Sequence, residues 1–265
     1  MKRLIVAVAV IGLVLLACAA IAWRERSRGL VEHFQIDPQS QRIVRIDSSY
    51  VTSRLQRFLG PKLILLSIDD APANADVDRR ILKILKKHQV RAIWFITCKT
   101  LDSKEDPAAE SHRQVLKEIL ADGHVLGNHG YHHLNLRSLD AAGSPLLAPE
   151  IVECSRLIQA EAGVWPKYFR PPFGASAPRV DQLIRSQGMQ SVLWSKNTFD
   201  SLLATFKTHP RMYVDYVHNN PAFDVAGHAE DGDIVLMHDY PDSVETLDEM
   251  LTKLQSRGFV FVVPD

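Results

Sequence analysis

A chain of 265 residues with 46% hydrophobic residues can bury one large core, and 31 Lys+Arg against 31 Asp+Glu leave no net charge. That balance removes the polyelectrolyte attraction on which most nucleic-acid binding rests, so no nucleic-acid partner is expected. Three scattered cysteines, Cys18, Cys98 and Cys154, without CxxC spacing, make neither a disulfide framework nor a thiolate metal site; Cys98 and Cys154 are able to pair but are expected to be small core residues or free thiols.

The first residues, MKRLIVAVAVIGLVLLACAAIAWRERSRG, hold no charge from Leu4 to Trp23. An apolar run of about 20 residues spans a bilayer and exceeds the apolar part of most cleaved signals, so residues 1–23 are expected to be an N-terminal transmembrane helix that anchors an extracytoplasmic domain to the membrane. A lipoprotein signal ending at Cys18 and a cleaved secretion signal are the alternatives. Basic residues on both flanks leave the orientation open. Residues 24–60 carry charges, Gln and Ser with short apolar clusters and are expected to be a juxtamembrane linker to a domain over 61–265.

From residue 61 the pattern alternates. KLILLSI (62–68) is a continuous apolar run ending at two aspartates, as a parallel strand buried on both faces would be. ADVDRRILKILKKHQ then shows a helical period with a basic end, VRAIWFIT a second strand, SHRQVLKEILADG a helix stopped by glycine, and HVLGN a third strand. Helix PEIVECSRLIQAEAG, strand KYFR, helix APRVDQLIRSQG, strand QSVLW, a long mixed segment, strand DIVLMH, helix SVETLDEMLTKLQSRG and strand FVFVV complete the chain. Seven strands alternating with helices indicate a parallel sheet covered by helices, either open and doubly wound or closed as a barrel.

In both architectures ligands sit at the carboxyl ends of the strands. Asp69 and Asp70 follow the first strand and His129, His132 and His133 the third; Arg170 ends the fourth, Asp200 follows the fifth, and His238 ends the sixth. One carboxylate and two imidazoles at an open site suit zinc or a similar divalent ion able to activate water. Spacing does not choose among the three histidines, because separations of three and of four both bring a pair to one ion. Taken singly, the aspartates would pass as helix caps and the histidines as loop residues. There is no GxSxG elbow and no phosphate-cradling glycine loop.

Five segments in order, SIDDAP, NHGYHHLNL, FRPPFGA, WSKNTFD and IVLMHD, resemble the five motifs of the polysaccharide deacetylases, the NodB-homology enzymes of carbohydrate esterase family 4. The resemblance covers roughly 60–265 and implies a distorted (β/α)7 barrel. It implies Asp70, His129 and His133 as metal ligands, with Zn2+ or Co2+ as the ion, and leaves His132 without a role. Asp69 matches the general base, Arg170 the residue that holds it ionised, Phe173 the backbone oxyanion donor, Leu236 the wall for the acetyl methyl, His238 the general acid and Asp200 its partner. An acetylated glycan is the implied substrate: N-acetyl groups on a chitin-like, peptidoglycan-like or poly-N-acetylglucosamine-like polymer, with an O-acetyl esterase on xylan or a non-catalytic glycan-binding domain as alternatives. The sequence departs from the pattern at Ala71 for glycine, Gly130 for Ser or Thr, Leu134 for proline, Phe173 for tyrosine, Asn197 for an acidic residue and Ser201 for tryptophan. Loss of the hydroxyl at 130 is expected to loosen support of the histidines.

Overall fold

The computed structural model describes residues 33–46, 61–198, 200 and 225–265. The expected anchor at 1–23 lies outside them, as does Ser201. Among the described residues no helix is long and apolar enough to cross a membrane. The two longest helices have 16 residues and carry charged side chains, short of the ~20 apolar residues a span requires. The expectations of a transmembrane helix, a membrane partner and a membrane-anchored location therefore find no support among the described residues.

All seven strands expected after residue 61 form. The central strand β3 (Lys62–Ala71) lies between β4 (Ala92–Ile96) and β9 (Asp233–His238), and its first residues pair with β10 (Phe259–Phe261) on the β4 side. The sheet continues through β5 (Val125–Asn128), β6 (Tyr168–Phe169) and β7 (Gln190–Ser191) on one side, and beyond β9 to β8 (Lys196–Asn197) on the other. Among the described residues every pairing in it is parallel.

Among the described residues the barrel is not closed, contrary to the (β/α)7 expectation. No ladder joins β7 to β8; one segment, 190–197, pairs with β6 through its first residues and with β9 through its last. Two-residue strands supply too few backbone hydrogen bonds to seal a seam, so the structure is a distorted half-barrel.

Strand parity sorts the side chains. Ile64, Leu66 and Ile68 face outward into a core shared with α1 (Ala75–His88), α2 (Ala109–Ala121) and α7 (Pro241–Ser256). Leu63 and Leu65 face inward with Ile93, Phe95, Tyr168, Val192 and Ile234. Continuing that inner row, Ser67 and Asp69 turn it polar toward the carboxyl ends. Helix α1 starts at Asn74, whose side chain accepts the N–H groups of Asp76 and Val77, and ends on left-handed Gln89.

Residues 33–46 lie in the stretch whose composition suggested a linker. They form a hairpin, β1 (His33–Asp37) and β2 (Arg42–Ile46), whose Ile36 and Ile43 join the inner apolar cluster. Hydrogen bonds to the start of β7 and to Gly232, just before β9, place the hairpin across the amino ends of the strands, opposite the polar end.

Cys98, in a 3-10 turn over Cys98–Leu101, and Cys154, in α4 (Leu147–Ala162), form a disulfide. This corrects the free-thiol expectation. Spacing in the chain, 56 residues, says nothing of proximity, and the packing of α4 against that 3-10 turn decides it.

Candidate metal centre and active site

Asp69 and Asp70 are neighbours on a strand, so regular pleating would send them to opposite faces. A bulge prevents this: Ile68 pairs with Trp94 and Ala71 with Ile96, leaving one extra residue in β3. Asp70 occupies it with φ 68, a left-handed conformation that aspartate tolerates better than most residues. Both carboxylates thus serve one site.

The two histidines are brought round by the turn after β5. Gly130 at φ 88 and His133 at φ 61 bend it back, and the rings of His129 and His133 meet edge to face with centroids 5.0 Å apart. The His133 Nε2 lies 3.3 Å from Asp70 Oδ1 and the His129 Nε2 3.7 Å from the same oxygen. One donor atom from each of Asp70, His129 and His133 lies within 4.8 Å of the others, the reach of a single ion.

The protonation states fit. His129 donates from Nδ1 to the Arg170 carbonyl at 2.7 Å, which leaves Nε2 as the lone-pair nitrogen turned to the carboxylates. Burial, against the opposing charge of Asp70, pushes its pKa down to about 3, so the imidazole is neutral and ready to ligate. The triad can therefore hold a divalent ion. His132 is turned away and meets Glu150, Nδ1 to Oε1 at 2.6 Å.

Asp69 sits beside the triad, its Oδ2 3.6 Å from His129 Nε2. Arg170, fully buried, donates from Nη1 to Asp69 Oδ1 at 2.6 Å and to Ser67 Oγ at 2.8 Å, and from Nε and Nη2 to the carbonyls of Val192 and Leu193. Its guanidinium lies 4.2 Å above the Phe95 ring. Removing one member of such a pair strands a buried charge and costs ~3–5 kcal/mol. Burial nevertheless pushes the Asp69 carboxyl above the ordinary range, against Arg170's pull. The ion pair was expected to keep Asp69 fully ionised; burial outweighs it, which makes the carboxylate more basic.

His238 closes the other side. It pairs in register with Asp69 across β9 and β3 and has the same parity as inward-facing Ile234. Asp200 accepts its Nδ1–H at 2.7 Å and its backbone N–H at 2.6 Å, and also accepts the Ser243 hydroxyl at 2.7 Å. Burial disfavours the imidazolium, but Asp200's hydrogen bond and charge overcome it and raise the His238 pKa to about 9. Burial likewise works against ionised Asp200, and His238 outweighs it, holding that carboxyl below its usual value. Leu236 is buried two residues before His238. Phe173, at φ 61 in the turn over Pro172–Gly174, is 64% exposed and packs its ring 4.6 Å from His133.

Sequence reasoning missed Tyr240, stacked 5.2 Å on the His238 ring, together with Ser243, Ser67 and Glu150. Only Ser67 left a signal, its parity with Asp69. Trp94 is buried in the core, whereas Trp194 is half-buried, 5.6 Å from the Arg170 guanidinium. The Trp165 indole donates to the Gln187 carbonyl.

A second acidic pair lies behind His238. Asp78 of α1 and Asp239 are both buried, and no other donor among the described residues reaches the Asp78 oxygens. Burial and the Asp239 charge push Asp78 far up, so it keeps its proton and shares it with Asp239, whose Oδ2 accepts the Ala73 N–H at 2.6 Å. Above the ordinary carboxylate range the folded chain then holds a proton that the unfolded chain has lost, so this pair costs stability as pH rises. Asp78→Asn keeps the donor and removes the cost. It is expected to raise the melting temperature at pH 8 by about 3 °C for each ~1 kcal/mol relieved, with a smaller gain at pH 5. Equal melting curves at both values would remove this account.

The sequence model described as Polysaccharide deacetylase matches residues 57–192. A peptidoglycan-N-acetylglucosamine deacetylase of Bacillus cereus is 28% identical over 222 residues, 81% of this chain and 72% of the relative. One of Listeria monocytogenes is 29% identical over 208 residues, and there the match covers 77% of this chain but only 38% of the relative. Among solved structures, a peptidoglycan N-acetylglucosamine deacetylase in complex with an N-oxidanyl-benzamide gives a TM-score of 0.59 at 26% identity, over 75% of this chain and 84% of that one. A CE4 family pseudoenzyme from Bacillus anthracis gives 0.59 at 25% identity, over 76% and 63%. The family match, over about half of the chain, spans the bulge that carries Asp69 and Asp70, the turn that carries His129 and His133, and Arg170; the chain belongs to the polysaccharide deacetylases, the NodB-homology family CE4.

Proposed function

We infer that the chain is a metal-dependent deacetylase acting on an acetylated amino-sugar polymer, and that it hydrolyses N-acetyl groups. The observation that carries this is the register pairing of Asp69 with His238 beside the Asp70, His129 and His133 donors: a base and an acid on adjacent strands, flanking one ion site. The donor set, one carboxylate and two imidazoles, suits zinc, with cobalt next; such an ion would polarise the acetyl carbonyl and acidify a water.

The chain's own residues then divide the work. Asp69, steadied by Arg170, takes the proton of the attacking water. The backbone N–H of Phe173 donates to the oxygen that becomes negative, a role that needs no tyrosine hydroxyl. Leu236 offers an apolar wall to the acetyl methyl. His238, kept charged by Asp200, delivers a proton to the departing nitrogen, without which an amide does not release its amine.

The likeness to a pseudoenzyme favours a second reading, a glycan-binding domain without turnover, and an O-acetyl ester would be cleaved by the same groups. Acetate release from chitooligosaccharides, peptidoglycan fragments, poly-N-acetylglucosamine and acetylxylan, each with zinc or cobalt, separates the three. Release from N-acetylated substrates is expected. Release from acetylxylan alone would establish the esterase, and none from any of them the binding domain.

A further inference from the structure

Residues 130–133 connect the two imidazoles of the donor triad, and a side chain outside the family motifs fixes their path. Glu150, in the first turn of α4, is 2% exposed yet bears a carboxyl group. Its Oε2 accepts the backbone N–H of His132 at 2.9 Å, and its Oε1 meets the ring Nδ1 of the same residue at 2.6 Å. The peptide held in this way leads directly into His133, whose left-handed backbone needs support from its surroundings.

The remainder of the turn is gripped from both sides. Asn128 accepts the Gly130 N–H at 2.7 Å and donates to the Ile151 carbonyl and the Ser155 hydroxyl of α4. Opposite, the carbonyls of Gly130 and Tyr131 accept N–H groups of Cys98 and Lys99, and the Cys98–Cys154 disulfide ties that 3-10 turn to α4.

Gly130 belongs to the same arrangement. A Cβ there would stand 3.3 Å from Glu150 Oε2 and 3.6 Å from Pro172 Cγ, on a backbone at φ 88. The carboxylate thus crowds the position at which the side chain of a serine or threonine at 130 would begin. The missing hydroxyl, expected from the sequence to loosen the turn, is replaced by Glu150.

We propose that Glu150 is a positioning residue of the metal centre, holding the 130–133 turn so that His129 and His133 converge on one ion, and that Gly130 is required to make room for it. This rests on Asp70, His129 and His133 being the ligands. A charge-assisted bond to a buried N–H fixes a peptide more firmly than a neutral hydroxyl does, and loss of an outer partner of this kind typically lowers metal affinity about 10- to 100-fold.

The test is a zinc titration of the purified chain, with Kd read by competition against a chromophoric chelator, together with the visible bands of the cobalt-loaded chain. Glu150→Ala is expected to raise Kd by about 10- to 100-fold and to alter the cobalt bands. Glu150→Gln, which keeps an acceptor for the N–H, should fall between it and the native chain. Gly130→Ser should weaken binding too, rather than restore a lost support. A purely structural Glu150 would lower the melting temperature and leave both readouts of the folded protein unchanged, and that outcome overturns the proposal. If Glu150→Ala does not fold, Glu150→Gln and Gly130→Ser decide: native Kd and native bands in both reject it. Failure of the native chain to bind zinc, with no difference from His129→Ala, would instead overturn the ligand assignment beneath it.

Discussion

Asp69→Asn is expected to lower the turnover number by about 10³-fold while leaving stoichiometric binding of the divalent ion nearly intact. The amide cannot take a proton, but it still offers an oxygen to Arg170, and that guanidinium keeps Ser67 and the carbonyls of Val192 and Leu193 as partners. The fold should therefore survive, at a cost of up to ~3–5 kcal/mol for the uncompensated Arg170 charge. Asp70→Asn should do the reverse and weaken the ion by about 100-fold or more, the upper range for perturbing a site's surroundings. Asparagine accepts the left-handed conformation of residue 70, so backbone strain will not confuse the result. Equal metal loss in the two variants, measured by metal content after gel filtration, would end the division of labour between neighbouring carboxylates.

The second large effect is a displaced pH profile. With His238 as the proposed proton donor, kcat/KM should fall on the alkaline side as the imidazolium loses its proton. Asp200 raises that pKa, to about 9 in the metal-free chain. Asp200→Asn removes the charge, and burial, which lowers an imidazole, is then opposed mainly by the weaker pull of Asp69 and Asp70. The alkaline limb should therefore move to lower pH by at least about one unit, and kcat at pH 8 should drop more than kcat at pH 6. A bound cation would lower the absolute values in both proteins, so the difference at equal metal loading is the measurement. An unmoved limb with lower activity at every pH would mean that Asp200 only shapes the loop.

Much of the fold was legible because its signals are local. The run LILLSI could only be a strand buried on two faces, and the period of RILKILKK could only be a helix laid on it. The hairpin over 33–46 was missed because its apolar residues are few, and Ile36 and Ile43 gain meaning only against the open amino end of the sheet. Non-closure was missed because how far the segment 190–197 pairs with β6 and with β9 depends on the register of strands far apart in the chain. The disulfide and the shared proton of Asp78 and Asp239 were invisible for the same reason.

The sequence by itself determined which chemical groups stand at the ends of which strands, since alternation, apolar runs and motif order are properties of neighbouring residues. It left three histidines and two aspartates nearly interchangeable by spacing. Tertiary structure decided among them: a bulge and two left-handed residues turn Asp70 and His133 into line with His129, and Glu150 takes His132 out of it. It also set the protonation states, because whether Asp69 is basic, His129 neutral and His238 charged depends on burial and on partners from distant segments.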